Sequence, residues 1–372
     1  MERIKICLVI PGRVTDTKLW SGTHNTLCQM LRECDEVEFT YLEYNYDENL
    51  LYRLLYKPIK KYIYTWNSPQ DLFVRSIARR LLKKALDDYE GKPDIFLFPS
   101  VACCLPYDKR LKGKICVYTD CLMSDLNSFR PYRPFKYLLS AYYKYHAKRD
   151  IAASSILLTQ NEWSGRRLQE FSGLSIEKIH NIRFGVNLNL LQEQKNYAKR
   201  KILIVLRKGA ERTKGLPLLL QAFKKVKQRF EDAKLAVVGT DYGQGQEGVT
   251  CYYNQSREVT VRLFKESTLY VMPAKREPNG ITYLEALANK TPIVGLNRFA
   301  FPEFCGKGKY GFISLSEDAE ELADIICYAF SDMSRLKTMG EEGQKFVKET
   351  YAWEKIIESI LEVVKENIQK EK

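Results

Sequence analysis

The sequence predicts an α/β protein made of two doubly wound domains, and three observations carry that reading. Apolar runs of strand length alternate with longer helical patterns almost from end to end. The alternation forms two series, and the polar stretch Glu193–Lys201 separates them. At 372 residues the chain is also longer than one ordinary core accommodates.

In the first series the strands are expected at Ile4–Ile10, Val37–Leu42, Asp94–Pro99, Ile115–Thr119, Ser155–Thr159 and Ile179–Phe184. In the second they are expected at Ile202–Leu206, Leu235–Gly239, Leu269–Pro273, Ile293–Leu296 and Phe312–Leu315. Most are continuously apolar, the mark of parallel strands covered on both faces. Helical stretches such as Leu216–Phe230 and Ala319–Ala329 lie between them. The tail Trp353–Lys372 places Ile356, Ile357, Ile360, Val363 and Val364 at helical spacing, so that stripe needs something to pack against.

Composition narrows the function classes. Hydrophobic residues at 45% and charged residues at 28% describe a globular chain. Its apolar runs are too short for a membrane span, and Ile6–Ile10 leads into Pro-Gly rather than a cleavage site, so a cytoplasmic protein is expected. Ten cysteines form no Cys-x-x-Cys pair, and three separated histidines form no metal cluster, so no cofactor or metal site is expected. A net charge of +13 suggests nucleic acid, an anionic membrane surface, an anionic small molecule, or simple solubility. No nucleic-acid motif is recognisable, which leaves membrane and small anions as partners and excludes nucleic acid. Leu51–Lys84 mixes aromatics with Lys57, Lys60, Lys61, Arg75, Arg79, Arg80, Lys83 and Lys84. Such a stretch suits the inner face of a membrane or a polyanion; a solvated face of core helices is the alternative.

The chemistry concentrates in Pro273–Glu303, where a strand runs into a loop and then a helix beginning near Gly280. Glu277 lies in the loop, and Glu285 follows after seven residues beside Ile281, Leu284 and Ala288 on the inward helix face. A carboxylate there needs donors, and a ribose supplies two hydroxyls. Asn279, Gly280 and Ile281 would present amide hydrogens at a helix N-terminus, where a pyrophosphate can sit.

This segment resembles the Glu-x7-Glu signature of retaining GT-B glycosyltransferases, family 4 (group 1) in particular. The resemblance implies two Rossmann-like domains facing across a cleft, with the C-terminal helix crossing back to the first. It further implies an acceptor-side domain over residues 1–192, a nucleotide-sugar domain over 193–352 and that helix over 353–372. It assigns Glu277 to the donor sugar and Glu285 to the nucleotide ribose. Lys201–Gly239 resembles the opening of the family's second domain, in which Arg and Lys hold the donor diphosphate. Lys214 matches that lysine, and Arg207 is favoured for the arginine over Lys208 and Arg212. Leu206 stands where glycine is usual, and Gly239 closes the next strand beside the donor.

The first domain carries further matches. Gly22, in TrpSerGlyThrHis, would let the backbone approach the donor, though Ser21 replaces one of the usual paired glycines. The IleHisAsnIleArgPheGlyValAsn segment ending at Asn187 resembles the family's Gly-Val-Asp turn. Asp120, at the C-terminal end of a strand, is expected to orient the acceptor hydroxyl or accept its proton; a helix cap is the alternative role. Asp125 and His24 are weaker choices, and His146 belongs to a basic helix. No Asp-x-Asp occurs, so the expected enzyme works without metal.

The implied activity is transfer of a hexosyl unit from a UDP- or GDP-sugar to a hydroxyl of a sugar, a lipid-linked or another acceptor. An inactive GT-B-like partner subunit and a nucleotide-sugar epimerase are the alternatives.

Overall fold

The structure, a computed structural model, describes residues 3–15, 23–45, 48–58, 72–99, 105, 108–121, 136–187 and 190–371. The chain divides into two compact units, Met1–Gly185 with Trp353–Lys372, and Val186–Ala352. Each is built on a parallel sheet of six strands.

In the first unit the strands are β1 (Ile4–Ile10), β2 (Val37–Glu43), β3 (Ile95–Phe98), β4 (Ile115–Thr119), β5 (Ile156–Thr159) and β6 (Ile179–Asn181). They lie in the order β2-β1-β3-β4-β5-β6, with Ile4 opposite Val37 and Ile6 opposite Ile95. Helices α1 (Thr23–Glu33), α2 (Leu72–Asp87), α3 (Lys136–Ala152) and α4 (Glu162–Ser172) connect them. Every residue of β3, β4 and β5 is buried, as parallel strands covered on both faces require.

The second unit holds β7 (Lys201–Val205), β8 (Lys234–Val238), β9 (Val249–Tyr252), β10 (Leu269–Val271), β11 (Ile293–Leu296) and β12 (Gly311–Ser314). Its helices include α5 (Leu216–Arg229), α6 (Arg257–Glu266), α7 (Ile281–Ala288), α8 (Phe301–Phe304), α9 (Ala319–Ser331) and α10 (Met333–Tyr351). The sheet order is β12-β11-β10-β7-β8-β9. Strand β9 escapes the sequence reading because it is a short edge strand, half-exposed and interrupted by Thr250, without the unbroken apolar run of its inner neighbours.

The polar stretch Glu193–Lys201, which separates the two series, lies within the second unit. Its polarity conceals an anchor. Lys195 is buried, and its ammonium donates to the carbonyls of Phe264 (2.9 Å) and Asn289 (2.8 Å) and to the Thr291 hydroxyl (2.7 Å). Three acceptors meet the three donors of an ammonium.

The C-terminal helix α11 (Trp353–Glu371) packs on α1 and β5 of the first unit. Ile356, Ile357, Ile360 and Val364 of its stripe are buried, and Val363 sits at the margin. The eight described cysteines are all free thiols.

Candidate functional site

In the second sheet the chain runs from β7 to β8 and β9 on one side, then returns to place β10 on the other side of β7. The order therefore reverses between β7 and β10, and the loops leaving their C-terminal ends flank the place where such sheets bind ligands. Those two loops are clamped together. The Lys275 amide donates to the Thr213 carbonyl at 2.9 Å. Gly215, which caps α5 with φ +76°, is so close that a β-carbon would lie 2.0 Å from the Pro273 carbonyl oxygen. Only glycine fits both the backbone angle and the space.

The clamp brings together residues 63 positions apart. Lys214 forms an ion pair with Glu277, and the other oxygen of that carboxylate accepts the Gly280 amide at 3.0 Å. Burial, with the guanidinium groups of Arg207 and then Arg276, pushes the Lys214 ammonium down to about 8, against the pull of Glu277. The Gly280 amide, expected to face a diphosphate, is thus taken by Glu277 in the free protein. Gly280 itself is the residue before α7, which starts at Ile281.

Glu285 lies within α7, and its side chain is only 12% exposed. It forms an ion pair with Arg257 at the start of α6, so the inward carboxylate already has a cationic partner. The two glutamates of the signature therefore stand beside two internal cations, and a ligand would exchange with those contacts.

The remaining bases separate by position. Lys208 sits over the Tyr253 ring at 4.5 Å, whereas Arg207 acts on Lys214. Glu211 ties the loop down by accepting the Gly209 amide (3.0 Å) and the Thr240 hydroxyl (2.7 Å). Gly239, expected beside the donor, lies tight against the end of β7. A β-carbon there would lie 1.7 Å from the Leu206 carbonyl oxygen. Arg276 and Arg257 were missed by sequence reasoning. Arg276 adjoins Glu277 and could have been suspected; Arg257 reaches Glu285 from another helix, and no local pattern reveals that.

In the first unit, Asp120 follows β4 and is half-buried, and burial raises its carboxyl above the usual range. The Ser164 hydroxyl donates to the Asp120 main-chain carbonyl. His24 is buried in α1. His146 lies on α3, where burial and then Arg75, Arg149 and Arg79 press its imidazole down to about 4. Gly22 and Asp125 lie outside the described residues. Among the described residues, no three His, Cys, Asp or Glu side chains gather as metal ligands.

Residues 189–346, which carry Lys214, Glu277 and Glu285, match the family model of glycosyl transferases group 1. The chain is 30% identical to a lipopolysaccharide core biosynthesis mannosyltransferase, LpcC, of Rhizobium leguminosarum bv. viciae over 92 residues, 25% of this chain and 26% of that one. It is 25% identical to a D-inositol 3-phosphate glycosyltransferase of Corynebacterium urealyticum over 171 residues, 41% and 40% of the two chains. The chain thus spans less than half the length of these relatives. A solved sucrose-phosphate synthase of Thermosynechococcus elongatus shares the fold with a TM-score of 0.71 at 14% identity, over 98% of this chain and 99% of that one.

Proposed function

We propose that this chain, matched by glycosyl transferases group 1 over residues 189–346, is a retaining hexosyltransferase using a UDP- or GDP-sugar without a metal. Its acceptor would be a hydroxyl in cell-surface polysaccharide, glycolipid or glycan synthesis. Relatives named for lipopolysaccharide core and inositol-phosphate glycosylation support that setting.

One observation carries the reading: Lys214 pairs with Glu277 where the strand order reverses between β7 and β10, with the charges of Arg207 and Arg276 close enough to act on Lys214. A lysine with two guanidinium charges acting on it suits a diphosphate, whose charge these cations would offset as the bond to the sugar breaks. Glu277, released from Lys214, would receive sugar hydroxyls. Glu285 would exchange Arg257 for the ribose hydroxyls. The C1–O bond to the diphosphate breaks as the acceptor oxygen bonds C1 on the same face. The acceptor proton leaves to the departing phosphate.

The test is incubation with a panel of nucleotide-sugars, following nucleoside diphosphate release with and without acceptors and in the presence of EDTA. Release from one UDP- or GDP-sugar, unchanged by EDTA and with the anomeric configuration kept in the product, is expected. A chain that binds and turns over none of the panel is not a transferase of this kind.

A further inference from the structure

We infer that a leucine-faced turn of the first unit docks on an anionic phospholipid surface. Tyr52–Tyr56 forms a single wide helical turn, closed by the Lys57 amide donating to the Tyr52 carbonyl at 2.8 Å. Tyr52 is fully buried in a core cluster with Val74, Ile77 and Ala78 of α2. That anchor fixes which way the turn faces. Leu50, Leu51, Leu54 and Leu55 are 66%, 54%, 63% and 57% exposed. Their spacing gathers them on one side of the turn, away from Tyr52.

Four exposed leucines in six residues are an expense to a chain in water unless something covers them. The charges beside them indicate what does. Arg53 and Lys57, in the same short stretch of chain, are exposed. Among the described residues neither of these two cations enters an ion pair, whereas Lys83 and Arg110 are held by Asp87 and Asp108. A second copy of the chain meeting this face would bring the same unpaired cations together, which electrostatics opposes. A polyanion without an apolar phase would leave the leucines in water. An anionic bilayer answers both features: leucines enter the boundary of the acyl chains while the cations meet headgroup phosphates. The overall charge of +13 has the sign this requires.

The inference does not rest on the sugar-transfer reading, and its test keeps the two apart. The full chain would be floated with vesicles of phosphatidylcholine alone or mixed with phosphatidylglycerol. Binding to the mixed vesicles, weakened by high salt, is expected. Leu54→Glu with Leu55→Glu should lower it at least ~10-fold, and Arg53→Gln with Lys57→Gln by about fivefold per charge. Melting temperature and nucleoside diphosphate binding, measured on the same variants, should stay unchanged. In Leu54→Trp, fluorescence should shift to the blue on mixed vesicles only, a readout that survives if the glutamate variant misfolds. The inference is overturned by equal binding to both vesicles or by leucine variants that bind like the parent. It is equally overturned by an oligomer that the glutamate variant dissociates while no vesicle binding occurs.

Discussion

Lys214 is the residue on which the proposed donor site turns. Its ammonium, held down to about 8 by burial, Arg207 and Arg276, is charged below that pH and loses its proton above it. Diphosphate binding needs the charged form, so affinity should fall as pH rises through about 8. Titration calorimetry with a nucleoside diphosphate from neutral to alkaline pH would show the decline. Lys214→Arg, charged throughout, should flatten it. The glutamates should separate by role. Glu285→Gln is expected to weaken nucleoside diphosphate binding roughly 10-fold. Glu277→Gln should leave that binding nearly intact and depress turnover. Equal and negligible effects on binding and turnover would remove the pair from the site. Glu277, Glu285 and Lys214 stood out as candidates in the sequence because their spacing and flanking motifs are local. Their partners did not: Arg257 meets Glu285 from another helix, and Lys214 meets Glu277 from the loop after β7.

At the scale of elements, helices α2 and α3 are joined by an ion pair sealed from solvent. One nitrogen of Arg75 lies 2.8 Å from each Asp150 oxygen, and both side chains are 1% exposed. Burial raises the Asp150 carboxyl even though Arg75 opposes the shift. Arg75→Met would leave that carboxylate alone in the core and should cost about 3–5 kcal/mol in urea unfolding, whereas Arg75→Met with Asp150→Leu should recover most of the loss. A single-variant cost near zero would mean the pair is not sealed as described. The sequence read Arg75 as one of eight bases on a surface-seeking stretch. Helical periodicity could have placed it inward beside Val74 and Ala78, but nothing local identifies an aspartate 75 residues away. Element boundaries fared better. β1, β4 and β11 fall where the apolar runs place them, because nearly every residue in them is buried.

At the scale of the molecule, the chain leaves its first unit at Gly185, builds the second, and returns with α11. Ile360, fully buried on α11, should therefore report on the first unit alone. Ile360→Asp is expected to lower the melting transition of the first unit, while nucleoside diphosphate binding in the second persists. Joint loss of both would show that the two unfold as one. The sequence by itself determined the alternation of strands and helices, the two series, the apolar stripe seeking a partner and the pair of glutamates. Each of these is written in the spacing of neighbouring residues, where periodicity and local turn chemistry act. Tertiary structure alone decided that Glu193–Lys201 is anchored by Lys195, that Gly239 lies against the Leu206 carbonyl, and that the signature glutamates rest against Lys214 and Arg257. Those outcomes depend on which charged and polar groups folding desolvates together, and that is set by distances in space.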